Sequence, residues 1–125
     1  MDKKTEELMN RTFNFGVHVL TFLSEMKYND TLSAPKKQLS RCSTSIGANY
    51  EEAQAAESKK DFIHKIGAVC KECRESHYWI RMIKAVCKDE KMKEQFSTFE
   101  KEASELKSIF ISIKLSAEGK RKNNG

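Results

Sequence analysis

The sequence predicts an all-α protein, an antiparallel up-down-up-down four-helix bundle. Three observations support this. Apolar residues recur every three or four positions in four successive stretches, the spacing of one helix face. One proline and five glycines among 125 residues leave those stretches almost uninterrupted. The chain is 33% charged and 38% hydrophobic, a composition suited to helices with one wet and one dry face.

The first helix is expected over residues 5–27. Met9, Phe13, Leu20 and Leu23 form one stripe on it, and Leu8, Phe15, Val19, Phe22 and Met26 form a second beside the first. Together they are wider than one bundle seam requires. Residues 28–34 read as a polar turn. Ser33 is a good N-cap for helix two, and Pro35 falls near the first turn, where a missing N–H costs little. Leu39, Cys42, Ile46, Asn49, Ala53 and Ala56 then step by three and four. Ser43, Ser45, Gly47 and Ala48 are all small, so a neighbouring helix can approach closely. Ser58 followed by Asp61 is a capping-box arrangement for helix three, with Asp in place of the usual Glu. Its inner stripe is Phe62, Ile66, Val69, Cys73, Ile80, Ile83 and Cys87, with Ser76 filling one turn. Residues 88–91 form the next break. Helix four is expected over 90–118, with Phe96, Phe99, Ala103, Leu106, Phe110, Ile113 and Ala117 in register and Gly119 as its stop. The bundle domain is thus residues 1–118, and 119–125 form a disordered basic tail.

The length suits one domain with a real core. No apolar run approaches the roughly 20 residues of a membrane span. Glu6 and Glu7 stand where a secretion signal would turn apolar, so a cytoplasmic protein is expected. Four cysteines in such a chain read as thiols. The formal charge is +5, and residues 114–125 hold Lys114, Lys120, Arg121 and Lys122 against Glu118. The basic signal therefore reads as belonging mainly to the tail.

No constellation of residues points to chemistry. Cys70 and Cys73 make a C-x-x-C, with His77 one turn further along the same face. A redox pair of this kind normally opens a helix, where the dipole lowers the thiol pKa, whereas this one lies mid-helix. Without a second C-x-x-C, these thiols read as small buried hydrophobes, and no metal or cofactor is expected. His18, His64 and His77 lie on different helices or faces. Glu51, Glu52, Glu72 and Glu75 read as ion-pairing carboxylates, with Lys71 and Glu75 an i, i+4 pair. No Gly-rich phosphate loop is present. A non-enzyme without catalytic residues is the expectation. Asn49 falls on an inner stripe, where a polar residue fixes register, and its amide is within possible reach of Glu72 or Glu75. Tyr78 and Met82 lie opposite Phe62 and Ile80, and Trp79 flanks the core stripe. Large apolar residues on an outward face mark an interface, so self-association is expected.

One long motif gives the chain a relative. Ser43-x-Ser45-Ile46-Gly47-Ala48-Asn49-Tyr50-x-Glu52-Ala53, then residues 58–65 beginning Ser58-Lys59-Lys60-Asp61, then Lys71-Glu72-x-x-Glu75-x-x-Tyr78-Trp79, resembles the family of the bacterial 23S ribosomal RNA intervening-sequence protein. Ser45, Asn49, Glu52, Asp61, Glu72, Glu75 and Trp79 are its structural motif. The resemblance implies an antiparallel bundle that assembles as a ring, a homopentamer, with no catalytic residue to carry over. Cys73 departs from the small residue expected there. The family is similar in fold to the accessory proteins of diversity-generating retroelements, which form pentameric barrels and bind nucleic acid and a reverse transcriptase. RNA or DNA binding through Lys36, Lys37, Lys59, Lys60, Lys120, Arg121 and Lys122 is the functional expectation, because a ring turns paired lysines into basic rims. The alternative is a protein-interaction adaptor with no nucleic-acid role.

Overall fold

The computed structural model describes residues 1–120. Its helices are α1 (Lys3–Glu25), α2 (Asp30–Gln54), α3 (Lys59–Val86) and α4 (Glu90–Ala117). Short turns make successive helices antiparallel neighbours. α2 packs extensively on α1 and α3, and α3 on α4, while α1 meets α4 at only a few points. The four-helix bundle is the expected one.

The helix ends follow from local hydrogen bonding, and two differ from expectation. α1 begins at Lys3 because Asp2 accepts the Thr5 N–H at 2.8 Å. It stops at Glu25, short of Lys27, where Met26 turns extended with ψ 140°. α2 begins at Asp30, not after Ser33, because the Asn29 side chain accepts the Thr31 N–H at 2.9 Å. Most of the expected polar turn is therefore helical. Pro35 sits inside α2, one turn deeper than the position where its missing N–H is free of cost. Ser58 caps α3 as expected, its hydroxyl accepting the Asp61 N–H at 3.0 Å. The return bond shifts by one residue: Asp61 accepts from the Glu57 N–H at 3.2 Å rather than from Ser58. Asp89 caps α4 by accepting from Lys91 and Met92. At the far end Gly119 adopts φ +72°, and the N–H groups of Gly119 and Lys120 bond back to Ser116 and Leu115. That is a Schellman closure, and only glycine takes the left-handed turn without strain. Arg121 and Lys122 of the expected tail lie outside the described residues.

Helices α1 and α2 come close because neither has bulk at the crossing. A Cβ added at Gly47 meets the Thr12 carbonyl carbon at 3.3 Å, and one at Gly16 meets Thr44 Cα at 3.5 Å. Aromatic rings hold α1 and α4 apart instead. Phe22 packs edge-on to Phe96 and Phe99 with centroids at 5.1 and 5.8 Å, and Phe15 meets Phe99 at 6.3 Å. Between them lies a dry core of Leu39, Ile46, Ile66, Ile80, Ile83, Leu106 and Phe110, all fully buried. The double stripe of α1 divides. Phe15, Val19 and Leu23 enter the core, and Leu8, Met9, Phe22 and Met26 pack against it. Phe13 and Leu20 stay outside, joined by Val17.

The two glycines should respond differently to substitution. Gly16→Ala has ordinary contact distances and removes a helix-interior glycine, so it should leave stability unchanged or raise it by up to about 1 kcal/mol. Gly47→Leu must push Thr12 and Phe13 backbone away and should cost roughly 1–3 kcal/mol. Urea melts of the two variants test the order.

Candidate functional site

A cluster of charge links α2 to α3. Arg41 donates from Nη1 to both Glu72 oxygens, at 3.2 and 3.4 Å, and from Nη2 to Glu75. Glu72 is buried, with 9% exposure, and Arg41 is the cation that pairs with it across the two helices. The expected reach of Asn49 to these carboxylates is replaced by Arg41; Asn49 itself is half-buried. Sequence reasoning missed Arg41, yet a signal existed. Arg41 and Glu72 stand almost equally far from the Ala56–Glu57 turn, so an antiparallel pair places them side by side. A second unforeseen pair joins α1 to α4: Arg11 donates to both Glu102 oxygens, at 2.8 and 2.6 Å.

The other motif residues hold structure. The Ser45 hydroxyl donates to the Arg41 carbonyl at 2.7 Å, and the Glu52 carbonyl accepts the Ala55 N–H as α2 ends. Asp61 combines its capping role with a 3.0 Å bond from Lys65, and that bond, more than the Glu57 N–H, holds its pKa down. Lys71 lies 4.0 Å from Glu75, the expected pair at its longest useful separation. Trp79 is half-buried against the core and meets Tyr78 edge-on at 5.0 Å.

The thiol row does not form a site. Cys70 and Cys73 point into the core, and burial raises both pKa values, that of Cys73 to about 12. His77 turns instead toward Glu100 on α4, at 3.9 Å. Its pKa is lowered, mainly by desolvation; Glu100 opposes this, and Arg81 and Lys107 add to it. Cys42 is buried beside Ser76, and Cys87 ends α3. Among the described residues no group of three or more His, Cys, Asp or Glu is placed to hold a metal ion, and no helix is long and apolar enough to cross a membrane.

The expected surface residues lie where the antiparallel order puts them. Because α2 begins at Asp30, Lys36 and Lys37 lie nearly two turns inside it rather than at its start, in the half toward one end of the bundle, and Lys59 and Lys60 start α3 at the other end. Lys120 shares the second end and lies 3.9 Å from Glu118. Tyr78 and Met82 are exposed, at 46% and 41%, and Val86 extends their line along α3. Phe13, the most exposed aromatic ring inside a helix at 62%, heads a second line with Val17 and Leu20 on α1.

The described residues thus form a four-helix bundle with a buried core and two exposed apolar lines. The chain belongs to a family that the comparisons identify: the model of the 23S rRNA-intervening sequence protein matches residues 4–112. A solved structure of similar form is a protein of unknown function from the S23 ribosomal protein family of Bacteroides thetaiotaomicron. It is 28% identical, with a TM-score of 0.77 over 89% of this chain and 97% of that one. The comparison with curated proteins gives no match.

Thiol reactivity tests the assignment of the cysteines to the core. In the native state at pH 8, Cys42, Cys70 and Cys73 should resist an aromatic disulfide reagent, while Cys87 at the end of α3 reacts first. In denaturant all four should titrate. Fast native reaction at Cys73 would contradict the buried, raised-pKa environment.

Proposed function

We propose that the protein is a non-enzymatic scaffold that assembles into a ring of identical subunits and binds nucleic acid in the cytoplasm. The observation that carries this reading is the pair of exposed apolar lines, Phe13-Val17-Leu20 on α1 and Tyr78-Met82-Val86 on α3. They lie on different helices of one subunit. A contact between one line and the other on the next copy is head-to-tail, and such a contact repeats until the rotation closes. Five subunits is the first choice, on the family resemblance. A ring multiplies each basic cluster: Lys36 with Lys37, Lys59 with Lys60, and the tail with Lys120, Arg121 and Lys122. The field at the rims rises with it. A family named for a 23S rRNA intervening sequence fits an RNA ligand.

Phe13, exposed on a helix whose other large apolar residues mostly reach the core, favours a second reading. In it α1 recruits a different protein, with a reverse transcriptase one candidate, and nucleic acid has no part. A pull-down with and without nuclease separates the two, because an adaptor keeps its partner after digestion.

Assembly and binding are both measurable. Light scattering coupled to size exclusion should give a multiple of the 14.4 kDa chain. Tyr78→Glu with Met82→Glu should release monomers, since the contact would bury unpaired charge. A wild-type mass at the monomer value overturns the ring. Binding to RNA and DNA should weaken steeply between low and near-physiological salt, and no binding at either salt overturns the nucleic-acid reading.

A further inference from the structure

We infer that the nucleic-acid contact runs along the outward face of α3 and the adjoining edge of α4, with phosphates as the recognised group. This rests on the nucleic-acid reading above and moves the contact from the rims and tail to the length of one helix.

The charge of the bundle is concentrated on that helix. α1 and α2 each hold three cations against three acids, and α4 holds five against five. α3 holds seven cations against three acids, a net +4. All three of its acids are engaged: Asp61 with Lys65, and Glu72 and Glu75 with Arg41 of α2. Lys84 is taken by Glu100 of α4 at 3.1 Å. Among the described residues no ion pair holds Lys60, Arg74, Arg81 or the α4 residue Lys107, and Lys71 is 74% exposed at the limit of its contact with Glu75.

These cations share one side of the molecule. Arg74 and Lys114 both act on the Cys70 thiol, Arg74 and Lys107 on Cys73, and Arg81 and Lys107 on His77. Arg74, Arg81, Lys107 and Lys114 are thus all near the α3–α4 side of the bundle, where Glu100 is held by Lys84. Toward the N-terminus of α3 the face becomes a groove of about 640 Å³, with Lys60, His64, Lys71 and Lys114 around a floor of Ile63, Gly67 and Ala68. Gly67 leaves room in the floor for the Lys114 stem, 3.4 Å from where a Cβ would stand, and the Lys114 ammonium is held by Glu118 at 3.0 Å.

From Lys60 to Arg81 the face spans roughly 30 Å at 1.5 Å per residue. A nucleic-acid strand presents several phosphates over that length, each able to exchange a counterion for a side-chain cation. Tyr78, four residues after Arg74 and three before Arg81, stands on this same face, with Met82 and Val86 to one side of it. An exposed tyrosine ring between two arginines can stack on a base while the cations hold phosphates, which favours a nucleic acid over an anionic membrane. Base edges are not addressed, so binding should show little sequence preference.

The test uses the full chain and fluorescence anisotropy with a labelled 20-nucleotide RNA and a 20-base-pair DNA. Lys71→Gln/Arg74→Gln/Arg81→Gln should weaken binding at least about tenfold at near-physiological salt and reduce the salt slope by roughly 2–3, one unit per lost phosphate. Helical circular dichroism should stay unchanged, as these side chains are exposed; assembled mass is measured alongside, because Arg74 and Arg81 flank Tyr78, and affinity lost only together with the oligomer overturns the inference. Arg74→Gln alone should reduce the slope by about 1. Lys36→Gln/Lys37→Gln in a chain ending at Gly119 should retain most of the affinity. The inference is overturned if wild type binds and the triple variant binds within about twofold of it, or if the rim-and-tail variant is the one that loses binding. Wild type that binds neither probe at any salt removes the underlying reading instead. Wild type that binds phosphatidylserine vesicles but neither nucleic acid overturns the inference in favour of a membrane.

Discussion

The close crossing of α1 and α2 sets the shape of this bundle. Gly47 brings the α2 backbone against Thr12, and Gly16 does the same against Thr44. With the helices this near, no large side chain fits between them. Phe13, next to Thr12, is forced out to solvent, and Val17 and Leu20 follow it on the same edge. The opposite edge of α1 faces phenylalanines and stands off from α4. One helix is thus held tightly on one side and loosely on the other. The apolar surface left outside by this asymmetry is the surface that a second copy can cover.

Much of the fold was legible because helix periodicity is a local signal. Ile66, Val69, Cys73, Ile80 and Ile83 were recognisable as a core stripe, and each is buried. Ser58 and Gly119 were readable as helix ends because their chemistry acts within a few residues. The start of α2 was misplaced for the same reason. Asn29 and Ser33 are both good caps, and which of them wins depends on the turn leaving α1 rather than on the residue itself. Partners across the bundle were harder to see. Arg41 and Glu72 are 31 residues apart, so no local pattern joins them. Asn49 was placed on an inner stripe by spacing alone, although it stands at the edge of that stripe.

The distribution of charge was obscured by counting along the chain. A tally by terminus assigns the excess cations to the tail, because the last residues are conspicuously basic. A tally by helix assigns a net +4 to α3 and none to its neighbours. The difference matters because the acids of α3 are not free to neutralise it: Glu72 and Glu75 face α2 and are held by Arg41. The same ion cluster that fastens α2 to α3 therefore leaves the far side of α3 without carboxylates of its own. A structural salt bridge and a polar surface are two results of one arrangement.

The pairing pattern also bears on how the chain reaches this state. Nearly all helix contact is between neighbours in sequence, α1 with α2, α2 with α3 and α3 with α4. Among the described residues α1 and α4 meet sparsely, through the phenylalanine contacts and the pairs of Arg11 with Glu102 and Glu105. Folding can then proceed hairpin by hairpin, with little loop-closure entropy to overcome before contacts form. The α1–α4 seam is the natural last step, and being sparse it governs the speed of assembly less than its position in the chain would imply.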